Sequence, residues 1–212
     1  MSLSHFFRNL TLVLIFCSVF SFYPVLSEET YSIDISPSTV ETNETVKVVL
    51  EDIPQNSIIN MTIEGEVSAV KGEESTFLMT NFLFPYYDPA AVYETHMMDL
   101  IPGTEATTSV IREDGTEASY TGEVNETGIF NASIIHELNR AVYNVTFTGI
   151  PAEDHMRALI EFGSTTREDN STEEATTAES SFTPSGFFEG KMDVSVYIDG
   201  ELQKTETISV TP

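Results

Sequence analysis

Residues 143–148 read Tyr-Asn-Val-Thr-Phe-Thr, so Tyr143, Val145 and Phe147 alternate strictly with Asn144, Thr146 and Thr148 before Gly149-Ile150-Pro151 ends the run. Successive side chains of a strand point to opposite faces, so one apolar and one polar parity mark a strand buried on one side. The same period recurs outward from this stretch. Phe130, Ala132 and Ile134 alternate with Asn131 and Ser133, and Ile59, Met61, Ile63 and Gly65 alternate with Asn60, Thr62 and Glu64. Nearer the N-terminus, Tyr31, Ile33 and Ile35 alternate with Ser32, Asp34 and Ser36, and Val46, Val48 and Leu50 give another apolar parity. Helical periodicity is hard to find. Two Asp-Gly pairs predict hairpins: Asp114-Gly115 between residues 108–112 and 116–120, and Asp199-Gly200 between 192–198 and 202–210. In the second, a strict two-residue turn would set Val194, Val196 and Ile198 against the wrong parity of Leu202 and Ile208. A three-residue turn with a bulge is therefore expected. The pattern predicts an all-β chain, an antiparallel sandwich of about eight to ten strands.

Asparagine placement carries the next signal. Six of the nine asparagines after residue 27 lie in Asn-x-Ser/Thr sequons: Asn43, Asn60, Asn125, Asn131, Asn144 and Asn170. Ser and Thr make up 41 of the 185 residues from 28 to 212, a share that would give about two sequons by chance. Asn60, Asn131 and Asn144 fall on the polar parity of their strands, Asn43 and Asn125 in turn-like stretches, and Asn170 in a loop. Acceptors on exposed surface of an exported protein are placed in this way.

The N-terminus predicts export independently. Arg8 precedes an apolar run over residues 10–25, and Val25-Leu26-Ser27 offers a small-residue exit before Glu28, the order of a secretory signal over residues 1–27. The run is short for a spanning helix, which needs about 20 residues, with an uncleaved N-terminal anchor as the alternative, and no second apolar span follows. Cys17 lies inside the leader, so the remaining 185 residues hold no cysteine and no disulfide. That length is enough for one domain, 28–212, stabilised by a packed core. With 9 Lys and Arg against 34 Asp and Glu, the chain carries a net charge of −25. Such a surface repels nucleic acid and anionic lipid and attracts cations. Residues 166–185 are rich in Thr, Ser and Glu and nearly free of apolar side chains, and are expected to form a mobile acidic loop.

Chemistry is hard to place. There is no Gly-x-Ser-x-Gly nucleophile turn, and thiol chemistry has no cysteine outside the leader. His96, His136 and His155 are not paired at ligand spacing. Calcium has weak candidates in Asp169, Ser171 and Glu173, but the glycine and distal glutamate of an EF-hand loop are missing. With so many acids, some close carboxylate pair is inevitable and says nothing of glycoside hydrolysis, and the chain has no tryptophan platform. Residues 77–100 gather aromatic and Met side chains. They read as a buried strand over 76–84 with an irregular crossing, or as an exposed rim in which Tyr86, Tyr87, Tyr93 and His96 make contacts.

Residues 128–149 (GIFNASIIHELNRAVYNVTFTG) followed by 192–211 (MDVSVYIDGELQKTETISVT) resemble the closing strands of immunoglobulin-like domains of large exported archaeal surface proteins. The acidic composition, the missing cysteines and the Thr-rich sequons are similar too. Residues 136–141 (HELNRA) stand where such repeats carry a tight Pro-Gly-Thr-Tyr turn. The resemblance implies an immunoglobulin-like sandwich at the cell surface and fixes no ligand. The expectation is a non-catalytic glycoprotein, extracellular or at the cell surface, with a structural or adhesive role in the envelope and an envelope protein or glycan as partner. The alternative is an extracellular module that binds divalent cations or glycans. The chain is expected not to be an enzyme, to bind no nucleic acid, and to span no membrane once the leader is removed.

Overall fold

A computed structural model describes residues 31–54, 57–83, 92–135, 142–165, 175–185 and 190–211. Fourteen strands run through them: β1 (Ser32–Ser36), β2 (Thr39–Glu41), β3 (Val46–Pro54), β4 (Ile58–Ser68), β5 (Ser75–Leu83), β6 (Val92–Met98) and β7 (Glu105–Arg112), then β8 (Glu117–Glu123), β9 (Phe130–Ile135), β10 (Val142–Gly149), β11 (His155–Thr165), β12 (Ala175–Ser185), β13 (Gly190–Ile198) and β14 (Glu201–Thr211). They form two seven-stranded sheets, ordered β1-β3-β12-β5-β10-β7-β8 and β2-β14-β13-β4-β11-β6-β9. Every pairing is antiparallel except the short contact of β2 with β14. The expected all-β sandwich is thus what the chain forms, with more strands than expected.

The alternation explains the layers. On β10 the apolar parity of Tyr143, Val145 and Phe147 is buried and the Asn144, Thr146, Thr148 parity lies partly exposed. On β4 the buried parity is Ile59, Met61, Ile63 and Val67. An aromatic seam joins the sheets: the Phe82 ring stacks on Phe162 of the facing sheet with centroids 4.1 Å apart, and Phe162 meets Tyr93 at 5.1 Å. Burying each such ring stabilises the fold by about 1.5–3 kcal/mol. The Tyr93 hydroxyl lies 3.2 Å from Thr108 Oγ1 on the opposite sheet, and Thr95 Oγ1 lies 3.4 Å from the same atom. Burial pushes the Tyr93 phenol well above its usual range, so it stays protonated.

The sheet sides are managed in two ways. On one, Lys204 of β14 donates from Nζ to the Ile33 carbonyl of β1 at 2.9 Å. A charged side chain turned inward in this way discourages pairing with another chain. On the other, Tyr120 of β8 packs on Phe130 of β9 with ring centroids 6.0 Å apart.

Both Asp-Gly hairpins are present. Between β7 and β8, Gly115 takes φ +85° and Arg112 N donates to Thr116 O. The Thr116 N–H holds the Asp114 carboxyl below its usual range, with the Arg112 charge adding to the effect. Between β13 and β14 the turn departs from expectation. Asp199 and Gly200 both take positive φ and Ile198 pairs with Glu201, a strict two-residue turn. The expected bulge lies one pair further in, where Tyr197 pairs with Leu202 but Val196 pairs with Lys204. Gln203 is the extra residue that restores the buried parity of Ile208 and Val210.

One region overturns the loop expectation. Of residues 166–185, Ala175–Ser185 form β12, an interior strand between β3 and β5. Ala178, Ser180 and Phe182 alternate inward, and the buried hydroxyls are satisfied: Ser180 Oγ donates to the Leu83 carbonyl at 2.9 Å, and Thr183 Oγ1 lies 3.0 Å from Thr45 Oγ1. A polar strand can occupy a core position when each hydroxyl finds a partner. Residues 166–174, with Asn170 and the calcium candidates Asp169, Ser171 and Glu173, lie outside the described residues.

Candidate functional site

The outer face of the second sheet is assembled by register. Across β14, β13, β4 and β11, Leu202, Tyr197, Asn60 and Gly163 stand in one row. Two residues along, Thr205, Ser195, Thr62, Glu161, Glu94 and Ser133 form the next, reaching β6 and β9. A third holds Thr207, Asp193, Glu64, Leu159, His96 and Asn131. Rows are roughly 7 Å apart along the strands. Members of these rows on β14, β13, β4 and β11, Asn60, Thr62, Glu64, Glu161, Asp193 and Tyr197 among them, line a groove of about 480 Å³.

The face is rich in acceptors. Thr207 donates to Asp193 Oδ1 at 2.6 Å, and Ser195 Oγ lies 2.8 Å from Thr205 Oγ1. Glu161 stands directly opposite Glu94, and Glu64 opposite Asp193. Like charges facing across strands repel. Arg157 is engaged elsewhere: Nε donates to Asp99 Oδ2 at 2.8 Å, a pairing that raises the guanidinium's affinity for its proton. Among the described residues no group of three or more His, Cys, Asp or Glu is placed to hold a metal ion. Groove chemistry consists of carboxylates, hydroxyls, one amide, the Leu159 side chain and the Tyr197 ring.

The residues singled out by sequence separate. Tyr93, read as part of a contact rim, is a core residue at 1 % exposure, because it falls on the apolar parity of β6 with Thr95 and Met97. His96 falls on the opposite parity and is half-buried on the outer face, its Nδ1 2.8 Å from Asn131 Oδ1. Tyr86 and Tyr87 lie outside the described residues, as does His136, and His155 stands on β11 opposite Ser68.

The described sequons all avoid the core. Asn43, Asn125 and Asn131 are exposed, and Asn60 and Asn144 half-buried on outer faces. Asn43 takes φ +75° in a turn and its Oδ1 accepts from Ser185 Oγ. Asn125 Oδ1 accepts from Thr127 N, Thr127 Oγ1 and Ile129 N, closing a turn whose Gly128 allows no side chain, since a Cβ there would stand 2.7 Å from Leu100 O. Asn144 Oδ1 accepts from Asn81 N at 3.4 Å.

Tyr197, Leu159, Glu161 and Leu202 were missed as site residues. An aromatic on the polar parity of the Val194, Val196, Ile198 strand was a signal for Tyr197. The alternation of Met156, Ala158, Ile160 and Phe162 was one for β11 and its outward Leu159 and Glu161.

No family model matches the chain, and no curated protein does. Solved structures similar to the chain at low identity include three that span different kinds of protein. One is the Pseudomonas fluorescens alkylpurine DNA glycosylase AlkC bound to DNA containing an abasic site analog, with 10% identity over 85% of this chain and 29% of that one, TM-score 0.19. Another is TmCBM61 in complex with beta-1,4-galactotriose, with 13% identity over 71% of this chain and 93% of that one, TM-score 0.24. The third is Spo0M, a sporulation control protein from Bacillus subtilis, with 13% identity over 86% of this chain and 49% of that one, TM-score 0.18. The expectation that the chain is not an enzyme is corrected: an enzyme, the glycosylase, stands among the similar structures. At these TM-scores none of the three assigns a ligand or an activity. The described residues include no helix long and apolar enough to cross a membrane.

Proposed function

We propose that this chain is an exported, glycosylated protein of the cell surface with a structural or adhesive role in the envelope, akin to the immunoglobulin-like domains of archaeal surface proteins. The observation that carries the reading is the placement of the sequons. All five described sequon asparagines lie on outer faces or turns, with both sheets represented, and none points into the core. Sugar on them would cover the sandwich without disturbing its packing. A secretory leader over residues 1–27, a chain without cysteine beyond it, and a net charge of −25 support the same reading. An envelope protein or a glycan is the partner such a surface suits, and the charge disfavours nucleic acid.

Fractionation of native cells after mild surface crosslinking tests this. The protein is expected in the envelope fraction, crosslinked to a wall component; recovery as a free monomer in the medium would refute the structural role.

A second reading, an extracellular ligand-binding module, draws support from the groove. Tyr197 offers a ring face beside hydroxyl and carboxylate acceptors, a combination that suits a sugar better than a cation. Calorimetry with calcium and with a panel of oligosaccharides separates the two: heat with a sugar alone is expected, and no heat with either ends this reading.

A further inference from the structure

We propose that the groove on the second sheet is the seat of this chain's own Asn60 glycan, whose first sugars pack on Tyr197 and fill the groove; the inference rests on the glycoprotein reading above. The register carries it. Asn60 stands directly between Tyr197 on one neighbouring strand and Gly163 on the other, so a ring flanks the amide on one side and no side chain does on the other. Both ends of the sequon, Asn60 and Thr62, line the groove.

The surroundings match a sugar. Four large apolar side chains stand strongly exposed among the described residues, and two of them belong to this corner. Ile58, 51 % exposed, shares the outer parity of β4 with Asn60, and Leu202, 55 % exposed, pairs with Tyr197. A pyranose has an apolar C–H face and a rim of hydroxyls. Laid on Tyr197, it would cover exposed apolar surface and turn its hydroxyls toward the Thr62–Ser195 row and the acids beyond. Asn60 differs from the other described sequons in a further respect. The side-chain oxygens of Asn43, Asn125, Asn131 and Asn144 are each held by a protein partner, whereas the Asn60 amide makes no side-chain hydrogen bond among the described residues. It is free to turn along the groove. A groove filled in this way is closed to an outside ligand, so the sugar that the second reading seeks is supplied by the chain itself.

The test uses the full chain from two hosts, one that N-glycosylates and one that does not. Site-resolved mass spectrometry should find sugar on Asn60. Tyr197→Thr should then lower the melting temperature about 2–4 °C further in the glycosylated protein than in the bare protein. Asn60→Gln should abolish that difference, while Asn131→Gln, on the same sheet but beside His96, should keep it. If Tyr197→Thr does not fold, nuclear Overhauser contacts between an isotope-labelled glycan and the Tyr197 ring in the unmutated glycoprotein give the same answer. Equal losses in both forms, absence of those contacts, or a bare Asn60 beside glycosylated Asn131 and Asn144 would overturn the proposal and leave the glycoprotein reading standing. Sugar on no sequon would remove both.

Discussion

The outer face of the first sheet carries Thr76, Thr148, Thr107 and Thr121 in one row across β5, β10, β7 and β8. Their hydroxyls pair among themselves, 3.0 Å from Thr76 to Thr148 and 2.8 Å from Thr107 to Thr121. Glu179 on that face has Lys47 within 3.5 Å. The second sheet is built on the same alternation, yet its outer rows set Glu161 against Glu94 and Glu64 against Asp193, and put Tyr197 beside Asn60. The first face pairs its threonine hydroxyls and sets one pair of acids, Glu105 and Glu123, opposite each other at its edge strand, while the second sets two such pairs on interior strands and turns a ring to solvent. Binary patterning made both faces polar; the register across strands, rather than the polarity, made them different.

Both faces stand on one core, so the largest effect should come from cutting it. Phe82→Ala removes a ring that stacks on Phe162 and packs against Phe182, and should cost about 3–5 kcal/mol, read by urea denaturation. Loss of that order should unfold both faces together; a surviving half would break the picture of a single sandwich. Thr108→Val comes next. It leaves the Tyr93 and Thr95 hydroxyls without their shared partner across the sheets and should cost about 1–3 kcal/mol. Tyr93→Phe should cost less, because Thr108 keeps Thr95.

Much of this was legible. The Tyr143–Thr148 alternation gave β10 and the outward parity of Asn144, and the Ile59, Met61, Ile63 parity gave β4 and the outward Asn60. Gly115 marked the first hairpin, since its positive φ disfavours a side chain. The β12 strand was not legible, because Ala178, Ser180 and Thr183 look like loop residues until Leu83 and Thr45 supply partners for the hydroxyls. The β13–β14 turn was misread by one pair, as alternation requires an extra residue without saying which position holds it. The groove was hidden for a related reason. Tyr197, Asn60 and Gly163 are far apart in sequence, and only the pairing of β13 and β11 with β4 brings them into one row.

The smaller effects sharpen the contrast between the faces. Glu161→Gln removes a like-charge pair from the second sheet and should stabilise the protein by about 0.2–1 kcal/mol. Added salt should shrink the gain, because screening already weakens the repulsion; a gain unaffected by salt would mean that charge is not its source. Thr148→Val on the first sheet should change stability by no more than about 0.5 kcal/mol, with little response to salt. Its exposed hydroxyl pair with Thr76 is replaced by a side chain equally suited to a strand.

Site-resolved glycopeptide mass spectrometry of the protein purified from its native cells bears most directly on the central claim. A leader removed near residue 27 and sugar on the outward asparagines, Asn60, Asn131 and Asn144 among them, are the expected result. A mature chain carrying no sugar at any of the six sequons would contradict it.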